Sequence, residues 1–174
     1  MNEIEMRDAI MDLAFGITDI ELKNRADKFV FAEGELHPVP LINAMNDLRY
    51  KNSAPVIAAN QVGLSLRVLS VAGLEKGIFN PVVTFLSEKQ VWMEEASVSY
   101  PGLVAKVKRP ETIRIRFQDC AGVFQTEIFS GMTSRFIQQG VDQLDGIPFI
   151  NRADRYHREM AYRQQRKAIK KSNG

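Results

Sequence analysis

Three segments of the chain concentrate the polar side chains that could do chemistry. These segments read AANQVGLSLRV (58–68), EASVSYPG (95–102) and QQGVDQLDGIPFINR (138–152). The single cysteine, Cys120, and both histidines, His37 and His157, lie outside all three. A serine nucleophile needs a neighbouring base, and neither Ser97 nor Ser99 has a histidine within these segments. A lone cysteine also excludes a disulfide framework and a multi-cysteine zinc site.

The elements that must position these segments follow the order helix, helix, several strands, helix and basic tail. Helical spacing of apolar residues predicts helices over 3–14, 39–51 and 133–145, and alternation predicts strands over 64–73, 78–85, 91–93, 103–108, 112–119 and 123–130. Pro81 indicates an edge or a bend, and Ala121-Gly122 is typical of a hairpin turn. Because the strands are contiguous and do not alternate with helices, the sequence predicts an α+β fold.

Composition bounds the class of protein. The chain has 174 residues, 45% of them hydrophobic and 25% charged, which suits one soluble globular domain over residues 1–174. No apolar run approaches the ~18 residues of a membrane span, so we expect no membrane partner. The acidic start lacks the basic-then-apolar order of a secretory signal. With one cysteine, a reducing cytoplasm is the expected location.

Positive charge is concentrated at the C-terminus. Residues 152–174 hold eight Lys or Arg and two acids, so this segment carries +6 in a chain of net charge +2. Such a segment can dock on nucleic acid, on ribosomal RNA or on an acidic protein face. It is equally typical of a solvated helix end that carries favourable cations. The candidate interaction residues are Arg155, Arg158, Arg163, Arg166, Lys167, Lys170 and Lys171.

The order and spacing of the three polar segments resemble those of peptide deformylase, the metal enzyme that removes formyl groups from the N-termini of nascent bacterial proteins. The resemblance runs from about residue 19 to the end and includes FNPVV (79–83) and KVKRPETIRIRFQD (106–119). It implies a deformylase-like fold, with antiparallel or mixed sheets around a central helix that carries the third segment. An N-terminal helical extension over about 1–15 and a basic C-terminal helical tail over about 152–174 would flank it.

The resemblance also shows which side chains differ from the family pattern. The family's second motif reads Glu-Gly-Cys-Leu-Ser, and Ser97 matches its metal-binding cysteine. The third motif reads His-Glu-x-x-His. Gln139 and Gln143 match its two metal-binding histidines, and Gly140 matches its glutamate. Gln61, which in the family helps to polarise the formyl carbonyl, is retained.

These replacements predict a changed site. A hydroxyl and two carboxamides are weak ligands beside a thiolate and two imidazoles, so the resemblance implies no metal, no cofactor and no catalytic residue here. Ala54 and Val56 stand where the family has glycines that let backbone approach a peptide. Gln61 either keeps the family's role or braces the neighbouring helix and loop. We expect Gln61, Ser97, Gln139 and Gln143 to satisfy one another where a metal would sit.

Three functions fit these observations. The first is a catalytically inactive deformylase-like protein that acts as a structural or interaction subunit of a larger assembly, for which a bacteriophage virion or tail component is one concrete version. The second is a pseudoenzyme associated with the ribosome or the nascent chain, because bacterial members of the family approach the ribosome with a C-terminal helix. The third is an active deformylase or other metallohydrolase with a non-standard site. The expected location is the cytoplasm, or the virion for a phage protein.

Overall fold

A computed structural model describes residues 22–31 and 36–172 of the chain. Within them the helices are α1 (Pro38–Lys51), α2 (Gly131–Leu144) and α3 (Arg155–Ser172), with short 3-10 helices at Ala59–Val62 and Phe149–Arg152. The strands are β1 (Val56–Ala58), β2 (Val68–Val71), β3 (Leu74–Leu86), β4 (Gln90–Ala96), β5 (Val104–Pro110), β6 (Thr112–Gln118) and β7 (Phe124–Ser130). The predicted helix over 3–14 and the extension over about 1–15 lie outside the described residues.

The strands form two antiparallel sheets. The larger sheet has the order β1-β2-β3-β6-β7, and β4 and β5 form a separate two-stranded sheet. The inward side chains of β6 are Ile113, Ile115 and Phe117, all fully buried, which fits the alternation of the sequence. The α+β fold predicted from the order of elements is therefore confirmed.

Helix α2 is the central element of the fold. Its apolar residues Ile137, Val141 and Leu144 pack on the inner face of the larger sheet. Its polar residues Ser134, Gln138, Gln139, Asp142 and Gln143 are buried as well. A helix whose polar side is also buried must satisfy those groups inside the protein, and this requirement shapes the site described below.

One strand prediction needed correction, and one strand was not predicted. The segment 64–73 forms a strand only over Val68–Val71, and Val56–Ala58 is a strand that the apolar pattern did not indicate. The Pro81 prediction is confirmed, because the pairing of β3 with β6 shifts register between Phe79 and Val82. A proline lacks the N–H that a regular ladder would use at that position.

The N-terminal end of helix α3 is capped by the side chain of Asp154. Asp154 accepts the backbone N–H of His157 at 2.8 Å, which is the contact of a helix N-cap. This bond, followed by the one to the His157 ring, holds the pKa of Asp154 below its ordinary value. Because the folded-state pKa is lowered, the stabilisation by this cap is present at neutral pH and is lost as pH falls through that pKa. Ala161, which is 2% exposed, packs the helix onto the cluster around Leu103 and Val107.

No helix in the described part of the chain is both long enough and apolar enough to cross a lipid bilayer.

Candidate functional site

The side chains singled out by the sequence line one small cavity. Gln61 lies on the 3-10 helix after β1, Ser97 follows β4, and Gln139, Gly140 and Gln143 lie on α2. Together with Val56 and Phe149 they enclose a space of only about 10 Å³. Three separate elements thus converge on one point, and the spacing of four along α2 places both glutamines on the same helix face.

Gln61 connects two of these elements. Its Nε2 donates to the hydroxyl oxygens of Ser97 at 3.2 Å and Ser99 at 2.8 Å, and its Oε1 accepts the backbone N–H of Ala58 at 2.9 Å. The interpretation of Gln61 as a brace of the neighbouring helix and loop therefore has a direct structural basis. Both serine hydroxyls accept from Gln61, and their own protons have no acceptor among the described residues.

The two glutamines of α2 do not complete the predicted cluster. Gln139 Nε2 donates to the carbonyl of Ala96 at 2.7 Å, and Gln143 Nε2 donates to the carbonyl of Leu22 at 3.2 Å. The expectation that the four polar side chains satisfy one another is thus wrong for this pair. Each glutamine ties α2 to a neighbouring backbone segment instead, because a carbonyl that ends a strand or loop needs a donor.

Asn60 is a site residue that the sequence analysis missed. Its Nδ2 donates at 2.7 Å to the backbone carbonyl of Gln143 in the last turn of α2, which also accepts the backbone N–H of Gly146. Its Oδ1 is buried and has no hydrogen-bond partner among the described residues. Its position in the sequence could have indicated this role, because Asn60 occupies the place of a proline in the family's first motif, beside the retained Gln61.

The side chain of Val56 occupies the space that a side chain at position 140 would need. A Cβ built on Gly140 lies 2.9 Å from Val56 Cγ2 and 2.8 Å from Leu69 Cδ2, closer than real Cβ atoms approach. The family has a glutamate at the position of Gly140 and a glycine at the position of Val56. In this chain the small residue is on the helix and the bulky one on the strand, so a side chain at 140 is sterically coupled to Val56.

We expect Gly140→Ala to lower the free energy of unfolding by up to about 2 kcal/mol. Overpacking costs about 1–3 kcal/mol, and the better helix propensity of alanine returns about 1 kcal/mol. In a Val56→Ala background the same change should cost less, because the stiff branched side chain is gone and only the flexible end of Leu69 must shift. Urea unfolding of the two single variants and the double variant measures the coupling. Additive effects would contradict the steric argument.

The donor set at this cavity does not fit a divalent metal ion of the family's kind. Ser97 offers a neutral hydroxyl, and Gln139 and Gln143, whose Nε2 groups donate to backbone carbonyls, offer only neutral carboxamide oxygens. No group of three or more His, Cys, Asp or Glu that could hold a metal occurs among residues 22–31 and 36–172. Thiolate, imidazole and carboxylate are the ligands that zinc and iron sites use.

A buried ion network lies beside this cavity, since Arg135 precedes Gln139 by one helical turn of α2 and Glu95 precedes Ser97 by two residues. Arg109 donates to both carboxylate oxygens of Glu95, at 2.6 and 2.9 Å, and to Asp142 at 2.7 Å. Arg135 adds a contact of 2.5 Å to Glu95, and Arg152 binds Asp142 with two donors. Burial alone would lower the pKa of Arg109, but the bonds and charges of Glu95 and Asp142 outweigh it and raise that pKa.

The network gives a role to a residue that lies between the two glutamines in the sequence. Asp142 is the acceptor for two arginines. A signal was available on β5, where Arg109 continues the inward series begun by Ala105 and Val107. A cation at an inward strand position needs buried carboxylate partners.

A larger cleft opens beside the small cavity. It has a volume of about 230 Å³ and shares Val56 and Ser97 with the cavity. One wall is the segment from Asn52 to Val56 and the other is the segment from Ala96 to Val98. The unassigned hydroxyl proton of Ser97 is therefore available at the junction, where it can donate to a carbonyl oxygen.

The candidate interaction residues are spread unevenly along α3. Arg155 pairs with Glu159 on the surface, and the Arg158 guanidinium reaches back to the carbonyl of Ala153. Beyond these, the exposed cations of the second half are Arg163, Arg166, Lys167, Lys170 and Lys171. Only this second half is both basic and exposed, and it contains no acid.

Comparison with known proteins agrees with the geometry. Residues 17–159 match the family model of polypeptide deformylase. A protein from Brucella melitensis described as "Peptide deformylase-like" is 39% identical over 107 residues, which cover 59% of this chain and 65% of that relative. A "Peptide deformylase" from Natranaerobius thermophilus is 33% identical over 147 residues, which cover 81% of this chain and 91% of that protein.

Solved structures agree as well. The structure of Plasmodium falciparum peptide deformylase in complex with an inhibitor has a TM-score of 0.76 and 25% identity, and the match covers 87% of this chain and 96% of that one. The expectation that this chain is not an enzyme is contradicted by these comparisons. The similar proteins are peptide deformylases, which are enzymes, and nothing in the matches indicates a loss of activity.

Proposed function

Because the chain belongs to the peptide deformylase family, we propose that it works on newly made polypeptides at the ribosome. In this proposal helix α3 docks on ribosomal RNA, and the cleft between residues 52–56 and 96–98 receives the N-terminus of the emerging chain. The observation that carries the proposal is the exposed second half of α3, with five cations and no acid. The expectation of a virion or tail subunit stays a prediction.

The cleft supports binding of a polypeptide N-terminus. Its two walls are short backbone segments, and its inner end carries the hydroxyl of Ser97, which Gln61 holds in place. Oriented hydroxyl donors bind and polarise a carbonyl oxygen such as that of a formyl group. Val56 projects into the same space, so the cleft favours a slender terminal group at this depth.

The name of the relatives, peptide deformylase, makes release of formate the first reaction to assay. We expect the rate of formate release from a formyl-methionyl peptide to be the same with and without a chelator, because the described site does not fit a metal. The purified full chain, assayed with and without added Zn²⁺ or Ni²⁺, provides the comparison. A rate that falls with the chelator and returns with one metal would show a metal held outside the described donor set.

We expect the variant Lys167→Gln/Lys170→Gln/Lys171→Gln to bind ribosomes at least about tenfold more weakly at moderate salt. Each lost phosphate contact removes counterion release and lowers the slope of log K against log salt by about 1. Co-sedimentation with bacterial ribosomes at several salt concentrations measures both quantities.

A matched control is Lys51→Gln/Lys89→Gln/Lys106→Gln, which removes three exposed lysines elsewhere on the body. This control should bind ribosomes as the unchanged chain does. Equal loss of binding in the two triple variants would indicate a response to net charge alone and would contradict docking through α3.

A further inference from the structure

A second groove lies on the opposite side of α2 from the cleft between residues 52–56 and 96–98, which is called the deformylase cleft below. It consists of two neighbouring cavities of about 440 and 470 Å³ that share Arg25, Arg67 and Val82. Its wall on α2 is formed by Gln138, Val141 and Asp142, with the C-cap residue Asp145. By contrast, Gln139, Gly140 and Gln143 line the small cavity described above. The groove therefore belongs to neither the cleft nor helix α3.

One wall of this groove is an open strand edge. β2 pairs with β3 only as far as Phe79, and the backbone N–H of Asn80 then bonds to the carbonyl of Arg67. On that side of β3, the described residues provide no strand beside residues 82–86. Five residues of strand extend over about 17 Å, and an open edge of this length can accept an extended peptide by main-chain pairing.

The groove also carries excess positive charge. The two cavities are lined by six cations, Arg25, Lys28, Arg67, Lys108, Arg109 and Arg152, and by three carboxylates, Asp27, Asp142 and Asp145. The buried cations are matched, since Arg109 binds Glu95 and Asp142, and Arg67 binds Asp145 at 2.7 Å. Lys28 and Lys108 have no ion-pair partner among the described residues, and Arg25, which lies 3.6 Å from Asp145, keeps a side chain that is 77% exposed.

Apolar side chains complete the lining. Val82 is 57% exposed and Leu86 is 54% exposed, on the strand that forms the open edge. Alternate side chains of an added strand point to opposite faces. One set can thus rest on Val82 and Leu86 while acidic side chains reach the cations of the rim.

We propose that this groove binds an acidic segment of another polypeptide in extended form, paired to the edge of β3. Main-chain pairing supplies the geometry, and the cations Arg25, Lys28 and Lys108 select carboxylates. This binding goes beyond the proposed action at the ribosome, because it uses neither α3 nor the deformylase cleft.

Fluorescence anisotropy of a labelled eight-residue peptide of alternating Glu and Val, added to the full chain, tests the proposal. We expect saturable binding that weakens with salt, and a drop of at least about tenfold in affinity for Arg25→Glu/Lys108→Glu. The control Lys167→Glu/Lys170→Glu changes the net charge equally on α3 and should leave this binding unchanged. A peptide of alternating Lys and Val should not bind.

Hydrogen exchange gives an independent readout of the geometry. The Glu-Val peptide should slow amide exchange within residues 82–86 of β3 and leave α3 unaffected. The proposal is overturned if the full chain shows no saturable binding, if the charge reversal in the groove has no effect, or if the Lys-Val peptide binds equally.

One more full-length variant identifies a competing occupant. Residues 1–21 carry six carboxylates, Glu3, Glu5, Asp8, Asp12, Asp19 and Glu21, and a single cation, Arg7. If the Glu-Val peptide binds only after these six are replaced by their amides, the groove is assigned to the chain's own N-terminal segment. That result would overturn a partner polypeptide as the occupant, without bearing on ribosome binding.

Discussion

Ser97→Cys/Gln139→His/Gln143→His is expected to turn the small cavity into a site for one divalent metal ion. The three positions line the same cavity, with the two glutamines one helical turn apart on α2. A thiolate and two imidazoles are the donors that such an ion prefers, and sets of this strength bind zinc by about 10 kcal/mol. We expect the triple variant to retain about one equivalent of Zn²⁺ after purification, and the unchanged chain to retain none.

The expected gain is larger than the loss of existing contacts. The variant loses the bonds from Gln139 to the Ala96 carbonyl and from Gln143 to the Leu22 carbonyl. Each such bond contributes about 0.5–1.5 kcal/mol net. Loss of the Ser97 acceptor also frees one N–H of Gln61, which keeps Ser99 as its partner. Folding should therefore survive the substitutions, with a lower melting temperature without metal than with it.

Metal analysis and calorimetric titration with Zn²⁺ measure this result. The matched control is Ser97→Ala with both histidines, which removes the thiolate and should bind the ion far more weakly. A triple variant that folds and yet takes up no metal would show that the three side chains do not reach a common point. A glutamate at position 140 would require Gly140→Glu together with Val56→Gly, because Val56 occupies the space of a side chain at 140.

The sequence predicted the positions of the site better than its contacts. Ser97, Gln139 and Gln143 were placed by motif spacing, and helical periodicity fixes the side of α2 that the two glutamines share. Their partners are backbone carbonyls of Ala96 and Leu22, which are distant in the chain or lie in segments without a pattern. Spacing along one element carries no information on such contacts, because they depend on how three elements pack.

The strands show the same division. Ile113, Ile115 and Phe117 alternate and are fully buried, so β6 was predicted almost to its ends. Val56–Ala58 has three buried residues in a row. A strand covered on both faces has no alternation to detect. The ion pairs of Arg109 were not predicted from the sequence, because its carboxylate partners lie 14 and 33 residues away in the chain.

Glu95→Ala is expected to lower the free energy of unfolding by about 3–5 kcal/mol, the usual cost of removing one partner from a buried ion pair. Glu95 is 5% exposed and accepts from both Arg109 and Arg135. Its removal leaves two buried guanidinium groups short of acceptors, because Asp142 already serves Arg109 and Arg152. No other carboxylate is bonded to Arg135 among the described residues.

The matched control is Glu111→Ala, which removes the acid of the Lys89–Glu111 pair on the surface. An exposed pair contributes about 0–1 kcal/mol, so the two alanine variants should differ by several kcal/mol. Urea unfolding followed by circular dichroism measures both, and equal m-values establish that the same surface is exposed in each. The loss at Glu95 should also persist in high salt, since a buried pair is screened far less than an exposed one. A Glu95 variant that unfolds at the same urea concentration as the Glu111 variant would contradict the network as a determinant of stability.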